Sequence, residues 1–440
     1  MNRRFLVWLI ACLSAAVPLA AQDFGFGFGD EDAAEEPSGE KSSGVTISGE
    51  VSASLLGYMK DFSDGPHTAR LGDVFSGALN FSAGNAFGDA VINLKLSSAS
   101  PQFAFDEAYL RAYIGIFEIE GGLRKLTWGK ADSFGPLDVI NPLDNTEITD
   151  VSDVMAMKIA RPLVHAAARF GRFSKLEGVF VPAFEGHRFA MDGRWAPAQI
   201  VQVQALLKNG SPPGLTLPDA STLNYAQAGA RFTTTLGSSD IGAQYYYGRL
   251  PRPAASIRFT PQSPALPSSI EMLYNPYHQI GVDWAQVLFG FNVRAEFAAN
   301  ITDDLGGDDG TVYNPHLAWS FGFDRDLAWG INLNLQVNET ITLLHDKITS
   351  PLDIEAGSDG TSTRLTGVLS KKFLRDELEV RAAVLWGIED KDFLILPALA
   401  WTRDAVSIEG SVGIFCGEDT GELGQYYDNR FVRLALTYSF

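Results

Sequence analysis

Three features of the 440-residue sequence predict an all-β fold, a transmembrane, antiparallel, up-and-down β-barrel of about 18 strands, with 16 as the alternative. Apolar and polar residues alternate with period two over most of the chain. Short and long connections alternate between those runs. Beyond the N-terminus no segment approaches the apolar length of a membrane helix, about 20 residues. Composition agrees. With 46% hydrophobic residues and 29 Phe the chain is too apolar to be disordered, and two Cys cannot make a disulfide scaffold. A net charge of −19 leaves no cationic excess to displace phosphate counterions, which argues against a nucleic-acid partner.

In chain order, residues 1–21 read as a signal peptide. Arg3 and Arg4 form its basic start, residues 5–13 its apolar stretch, and Leu19-Ala20-Ala21 its small-residue cleavage site. Cys12 imitates a lipoprotein cleavage box, but the apolar segment before it is very short. Cleavage leaves Cys416 alone, so no internal disulfide is expected. Residues 22–44 combine Phe-Gly repeats with Asp30, Glu31, Asp32, Glu35 and Glu36, the composition of a flexible acidic periplasmic linker. Residues 45–440 make the barrel.

Within it, Phe291, Val293, Ala295 and Phe297 alternate with Asn292, Arg294 and Glu296, and Ile331, Leu333, Leu335 and Val337 with Asn332, Asn334 and Gln336. Side chains of a strand point to opposite faces, so each run has one greasy and one polar side. Short links fall at 84–89, 117–118, 171–174, 236–240, 288–290, 324–327, 374–376 and 402–404. Between them come links at 60–70, 98–102, 130–153, 184–224, 250–277, 301–312, 345–360, 389–391 and 417–427, mostly longer. Tight turns at one end and long loops at the other are a barrel's asymmetry; a sandwich has no reason for it. Two segments leave the count open, 200–207 as a possible extra strand and 160–170 as a weakly patterned one. Pro397 cannot donate a ladder hydrogen bond and predicts a bulge or register fault. Tyr58, Trp128, Trp319, Trp386, Trp401 and Tyr438 fall near strand ends, where interface girdles sit. Polar faces carrying Arg, Glu, Asn and His would not tolerate a dry core, so the bore is expected to hold water.

The chain ends with Leu434, Leu436, Tyr438 and Phe440 at every second position. This ending resembles the terminal strand signal of bacterial outer-membrane barrels, which implies hand-over to the barrel-assembly machinery, a lipid environment in the cell outer membrane, and a leader removed on export. After the fifth strand, residues 126–144 (LTWGKADSFGPLDVINPLD) resemble the Trp-Gly-x-x-Asp...Asp-Val-Ile-Asn-Pro-x-Asp segment of a group of porin-like outer-membrane proteins. By strand order this is the third long loop, and the resemblance implies that it folds into the lumen and narrows it. The pore-constriction residues on that view are Arg111, Arg124, Lys130, Asp132, Asp138, Asn141 and Asp144. Lys130 stands where a polar or acidic residue is expected, so no charge preference transfers. The competing reading is a self-packed loop that caps the rim.

No two of the six His share a metal-ligand spacing, and no phosphate loop or nucleophile elbow occurs, so neither enzyme chemistry nor a cofactor is expected. Asp303, Asp304, Asp308 and Asp309 make a weak Ca²⁺ candidate. The functional expectation is a passive diffusion channel for small hydrophilic solutes, mildly favouring cations. The alternative is a surface adhesin or structural barrel with a plugged lumen and ligand-binding outer loops. Oligomeric state is not written in the sequence.

Overall fold

A computed structural model describes residues 44–65, 71–98, 100–149, 154–209, 214–260 and 263–440. The leader at 1–21 and nearly all of the acidic linker lie outside those residues. Eighteen strands close into one antiparallel sheet. They are β1 Val45–Tyr58, β2 Leu71–Asn85, β3 Gly88–Ser97, β4 Ser100–Ile114, β5 Phe117–Arg124 and β6 Arg161–Phe170. Next come β7 Ser174–Val181, β8 Gln227–Leu236, β9 Ser239–Arg249, β10 Pro276–Leu288, β11 Phe291–Thr302 and β12 His316–Leu327. The last six are β13 Ile331–Thr342, β14 Thr361–Phe373, β15 Leu378–Gly387, β16 Asp392–Arg403, β17 Val406–Cys416 and β18 Phe431–Ser439. Each strand pairs with the next in sequence, and β18 pairs with β1 from Glu50↔Ser439 to Tyr58↔Phe431. Closure leaves no unpaired sheet edge, the condition for crossing a bilayer with strands.

Burial is inverted relative to a water-soluble protein. Phe103, Leu110, Ile280, Leu369, Leu399 and Leu434 are exposed on the outside, whereas Gln279, Asp283, Glu296, Gln336 and Arg364 are buried. An apolar surface running around the whole cylinder suits hydrocarbon and would not persist in water. All connections at one end are short, and at the other end β3–β4 and β15–β16 are also joined by tight turns. Between β10 and β11, Phe289 and Gly290 both take positive φ, 53° and 80°, and turn the chain in two residues.

The structure changes several details. Residues 200–207 lie in an α-helix, Ala198–Asn209, not a strand. The link at 98–102 is a tight turn, because β3 and β4 pair to Ser97↔Ser100. Pro397 causes no register fault: Ile395↔Ile414 and Ala398↔Ser411 lie in the same register, so the ladder to β17 only skips two positions. On its other side Pro397 faces Ala382 normally. Two of the girdle aromatics point inward. Trp128 is buried in the third loop against Tyr246, and Tyr58 accepts a hydrogen bond from Trp195 Nε1 at 3.2 Å.

The bore is also less uniformly wet than its polar residues suggest. Loops turn into it from the long-loop end, and the apolar core of the molecule sits there. One cluster joins Phe134 and Trp195 of the loops to Leu385, Leu394, Phe415 and Phe431 on the inner faces of β15–β18. The loops have their own sheets as well. Ala254–Thr260 pairs with Ser263–Leu273, which also takes Gly214–Thr216 in parallel, and Asp144–Asn145 pairs with Arg188–Phe189.

Candidate functional site

Residues 125–149 leave β5, cross the lumen, and rest against the inner faces of β8–β13. The contact begins with Trp128, whose ring lies over Gly229 so closely that a Cβ there would sit 2.9 Å from the indole. Gly129 then turns the chain at φ +106°, a conformation that favours glycine. The carboxylate of Glu296, pointing inward from β11, accepts the N–H groups of Lys130, Ala131 (2.7 Å) and Leu137 (3.4 Å). A Cβ at either Gly129 or Gly135 would lie 2.3 Å from a Glu296 oxygen. The two glycines are therefore what lets the loop wrap this carboxylate.

Amide side chains complete the seat. Gln336 on β13 accepts from the N–H of Asp132 (3.0 Å) and Ser133 (3.3 Å) and donates to the Phe134 carbonyl at 3.2 Å. Gln279 on β10 donates to the Pro136 carbonyl and Gln244 on β9 to that of Leu137, both at 2.9 Å. Asp132 accepts from Arg294 (2.5 Å) and Asn334 (2.9 Å). Burial pushes the Asp132 carboxyl above its usual range despite Arg294 and Asn334. A buried backbone amide needs a partner, and the wall strands supply partners along the whole tip of this loop.

Across the lumen, β4 and β5 present a dense ionic group. Arg111 binds Glu120 at 2.7 Å, Arg124 binds Glu107 at 2.9 Å, and Arg124 stacks 4.3 Å from the Tyr109 ring centre. His165 on β6 lies 3.1 Å from Glu120 and 3.3 Å from Glu177. Such pairing offsets the cost of removing these charges from water.

The seven residues expected at a constriction separate into three settings. Arg111 and Arg124 line the wall of β4–β5, while Lys130 and Asp132 lie on the loop tip at β11–β13, with Asp132 held by Arg294. Asp138 and Asn141 belong to the loop's own frame. Asp138 pairs with buried Lys158 at 2.6 Å. The Asn141 amide accepts from Leu126 N–H and donates to the Arg124 and Ile159 carbonyls. Asp144 lies 3.8 Å from Arg188 and caps Thr146. Glu296, Gln336, Gln279 and Gln244 are the residues the motif did not single out. Their signal was an amide or carboxylate at a lumen-facing position of an alternating run.

Between this loop, residues 184–187 and the wall lies a cavity of about 170 Å³, bordered by Phe134, Phe184, Tyr277, Arg252, His316 and Glu339. The acidic turn after β11 folds around the Asp304 carboxylate. Asp304 accepts the N–H groups of Gly306, Asp308 and Asp309, and among the described residues no three His, Cys, Asp or Glu converge as a metal site would require. At the C-terminus Leu434, Leu436, Tyr438 and Phe440 all face outward, and Gly49 and Phe440 exchange two backbone hydrogen bonds of 2.9 Å across the seam.

Neither a protein-family profile nor a curated protein sequence matches the chain. Solved structures do match. OccD3 (OpdP) of Pseudomonas aeruginosa is similar over 92% of this chain and 92% of its own, at 10% identity and a TM-score of 0.51. OccAB4 of Acinetobacter baumannii is similar over 90% of this chain and 98% of its own, at 11% identity and TM-score 0.52. OccK8 (OprE) of P. aeruginosa is similar over 91% and 99%, at 12% identity and TM-score 0.50. These neighbours are bacterial outer-membrane porins, and the likeness establishes a shared fold.

Proposed function

We propose that the chain is an outer-membrane channel for passive diffusion of small hydrophilic solutes, narrowed by its third loop. The observation that carries this is the seating of residues 130–137 across the lumen on Glu296, Gln279, Gln244 and Gln336. A loop held by so many hydrogen bonds stays where it crosses the bore. Polar inner faces of the strands favour water and hydrophilic solutes over lipid. Residues 1–21 direct export, and Leu434, Leu436, Tyr438 and Phe440 hand the last strand to the assembly machinery. Arg111, Arg124, Lys130 and Asp132 act at the narrow part, whereas Asp138, Asn141 and Asp144 keep the loop's shape. The excess of acidic residues over basic ones gives cations a mild advantage at the mouths.

The test is the purified, folded protein in planar lipid bilayers. Unitary current steps are expected, and a salt gradient should give a reversal potential of the sign that favours cations. Folded protein that gives no steps would end the channel reading, and a reversal potential of the opposite sign would end the cation preference alone.

A further inference from the structure

A second loop enters the bore from the other side, and its fastening differs in kind. Residues 417–430 fold down over the inner faces of β14–β18, burying Leu423 and Tyr426 against Leu385, Leu394 and Phe415. Trp195, from the loop between β7 and β8, packs on the same patch, its ring centre 5.7 Å from that of Phe415 and 5.4 Å from that of Tyr426. Under this apolar contact lies a buried ionic group. Arg364, pointing inward from β14, pairs with Glu422 of the loop, and both are at most 2% exposed. Asp392 at the start of β16 accepts the Leu423 and Gly424 N–H groups at 2.5 and 3.2 Å. Gly421 fits because a Cβ there would stand 2.6 Å from Asp392 Oδ2. Asp390 adds a third carboxylate whose charge acts on both Arg364 and Glu422.

We propose that residues 417–430 form a lid over the β14–β18 side of the bore, latched by the single guanidinium of Arg364 among the three carboxylates of Glu422, Asp390 and Asp392. Arg364 is a positioning residue, since it sets where the loop lies. The part of the proposal that concerns passage rests on the channel reading above. Without the guanidinium, buried Glu422 and Asp392 face half-buried Asp390, which like charges and lost hydration disfavour. The lid would then leave, exposing Leu423 and widening the lumen.

The sign of a pH effect follows. The charged groups around Glu422 are Arg364 from β14, Asp390, Lys391 and Asp392 from the β15–β16 turn, and Glu418 from its own loop, which pairs with Lys391 at 3.2 Å. Beyond Trp195 stands Arg194, bound to Asp61 at 2.9 Å. Burial pushes the Glu422 carboxyl up to about 7; Arg364 opposes the rise and Asp390 and Asp392 add to it. The closed lid therefore holds a proton that the open lid releases, and closure weakens as pH rises from the ordinary carboxyl range through about 7.

The experiment reads the lid directly, in full-length protein checked for folding by its heat-modifiable gel mobility. In a Cys416→Ser background, Leu423→Cys is labelled with a membrane-impermeant maleimide, and Tyr426→Cys serves as a second reporter. Slow labelling is expected at both positions. Arg364→Met should speed it about tenfold or more, as the loss of a buried ion partner implies. An unchanged rate in a folded Arg364→Met barrel would overturn the latch. Glu422→Gln keeps an acceptor for Arg364 and removes one negative charge. With rates at each pH divided by that of a fully exposed cysteine, it should label no faster than the parent and lose the rise with pH, and labelling as fast as in Arg364→Met would overturn the balance of three acids against one base. Conductance separates the two claims. Absence of channels in the parent defeats the channel reading while labelling still decides the latch. Faster labelling with unaltered conductance would remove the lid from the passage.

Discussion

The third loop and the last loop both turn into the lumen, yet they are held by different physics. The tip of the third is fixed on a wall of amides and carboxylates by directional hydrogen bonds with Glu296, Gln279, Gln244 and Gln336, while its Phe134 reaches the apolar cluster. The last lies on Leu385, Leu394, Phe415 and Phe431, a greasy inner wall, with one buried guanidinium beneath it. Hydrogen bonds specify one position, because a shifted loop leaves buried donors unpaired. Apolar contact tolerates a range of positions and yields as a unit once its ionic anchor is lost. A loop that defines an aperture gains from the first fastening, and a loop that moves gains from the second.

The difference is most sharply exposed at Glu296. Glu296→Ala removes the acceptor of three N–H groups, each costing about 1–3 kcal/mol when left buried and unpaired. The third loop should detach, with faster proteolysis between residues 125 and 160, larger unitary current and unchanged labelling of Leu423→Cys. If proteolysis of the third loop stays at the parental rate, its seating does not depend on this carboxylate. The converse change is Trp195→Ala, which empties the apolar contact under the last loop at a cost of about 3 kcal/mol. It should speed labelling of Leu423→Cys and leave the third loop protected. Parallel loosening of both loops by either variant would mean that they form one unit and that the contrast between them is false.

A smaller effect tests the glycines. Gly129→Ala places a Cβ 2.3 Å from Glu296 Oε1 on a backbone at φ +106°, which should cost about 1–3 kcal/mol. Part of that cost is the clash and part is the backbone. In a Glu296→Ala background only the backbone part should remain, so the double-mutant cycle must be non-additive. Additive melting temperatures would show that Gly129 and Glu296 do not meet.

Much of the barrel was legible in the sequence, because its two rules are local. Alternation such as that of 291–297 places side chains on opposite faces, and short connections force antiparallel neighbours; together they led to the eighteen strands found. What lay inside was not legible. A lumen-facing residue alternates with a lipid-facing one whether it meets water or a folded-in loop, so Leu385, Leu394 and Phe415 read only as apolar positions in their strands. Residues 160–170 patterned weakly for that reason: Leu163 and Ala167 face inward on β6 and are buried, while Val164 faces out. Trp128 near a strand end looked like a girdle residue, and its partner Tyr246 lies 118 positions away on β9, beyond any local pattern. Within 126–144 the motif could not show where the loop sits, since Glu296 and Gln336 lie on strands that come much later in the sequence.

The smallest prediction concerns pH, where the two loops should differ in sign. At the base of the third loop His187 Nδ1 accepts the Leu143 N–H at 2.9 Å, and Arg188 N–H returns to the Leu143 carbonyl at 2.9 Å. Accepting that bond requires an unprotonated Nδ1. Burial, with the nearby Arg252 charge adding to it, pushes His187 down to about 3. A base whose folded value is depressed stabilises the fold above its ordinary value near 6.5, and that contribution drains away as pH falls from there toward 3. The third loop should therefore be cleaved faster as the medium is acidified through this window, while Leu423→Cys on the last loop becomes better protected. His187→Gln retains a side-chain carbonyl that can accept from Leu143 but has no proton to gain, so its cleavage rate should be flat across the window. A parent in which both loops loosen together on acidification would show that a global charge effect, not these two local sites, governs the response.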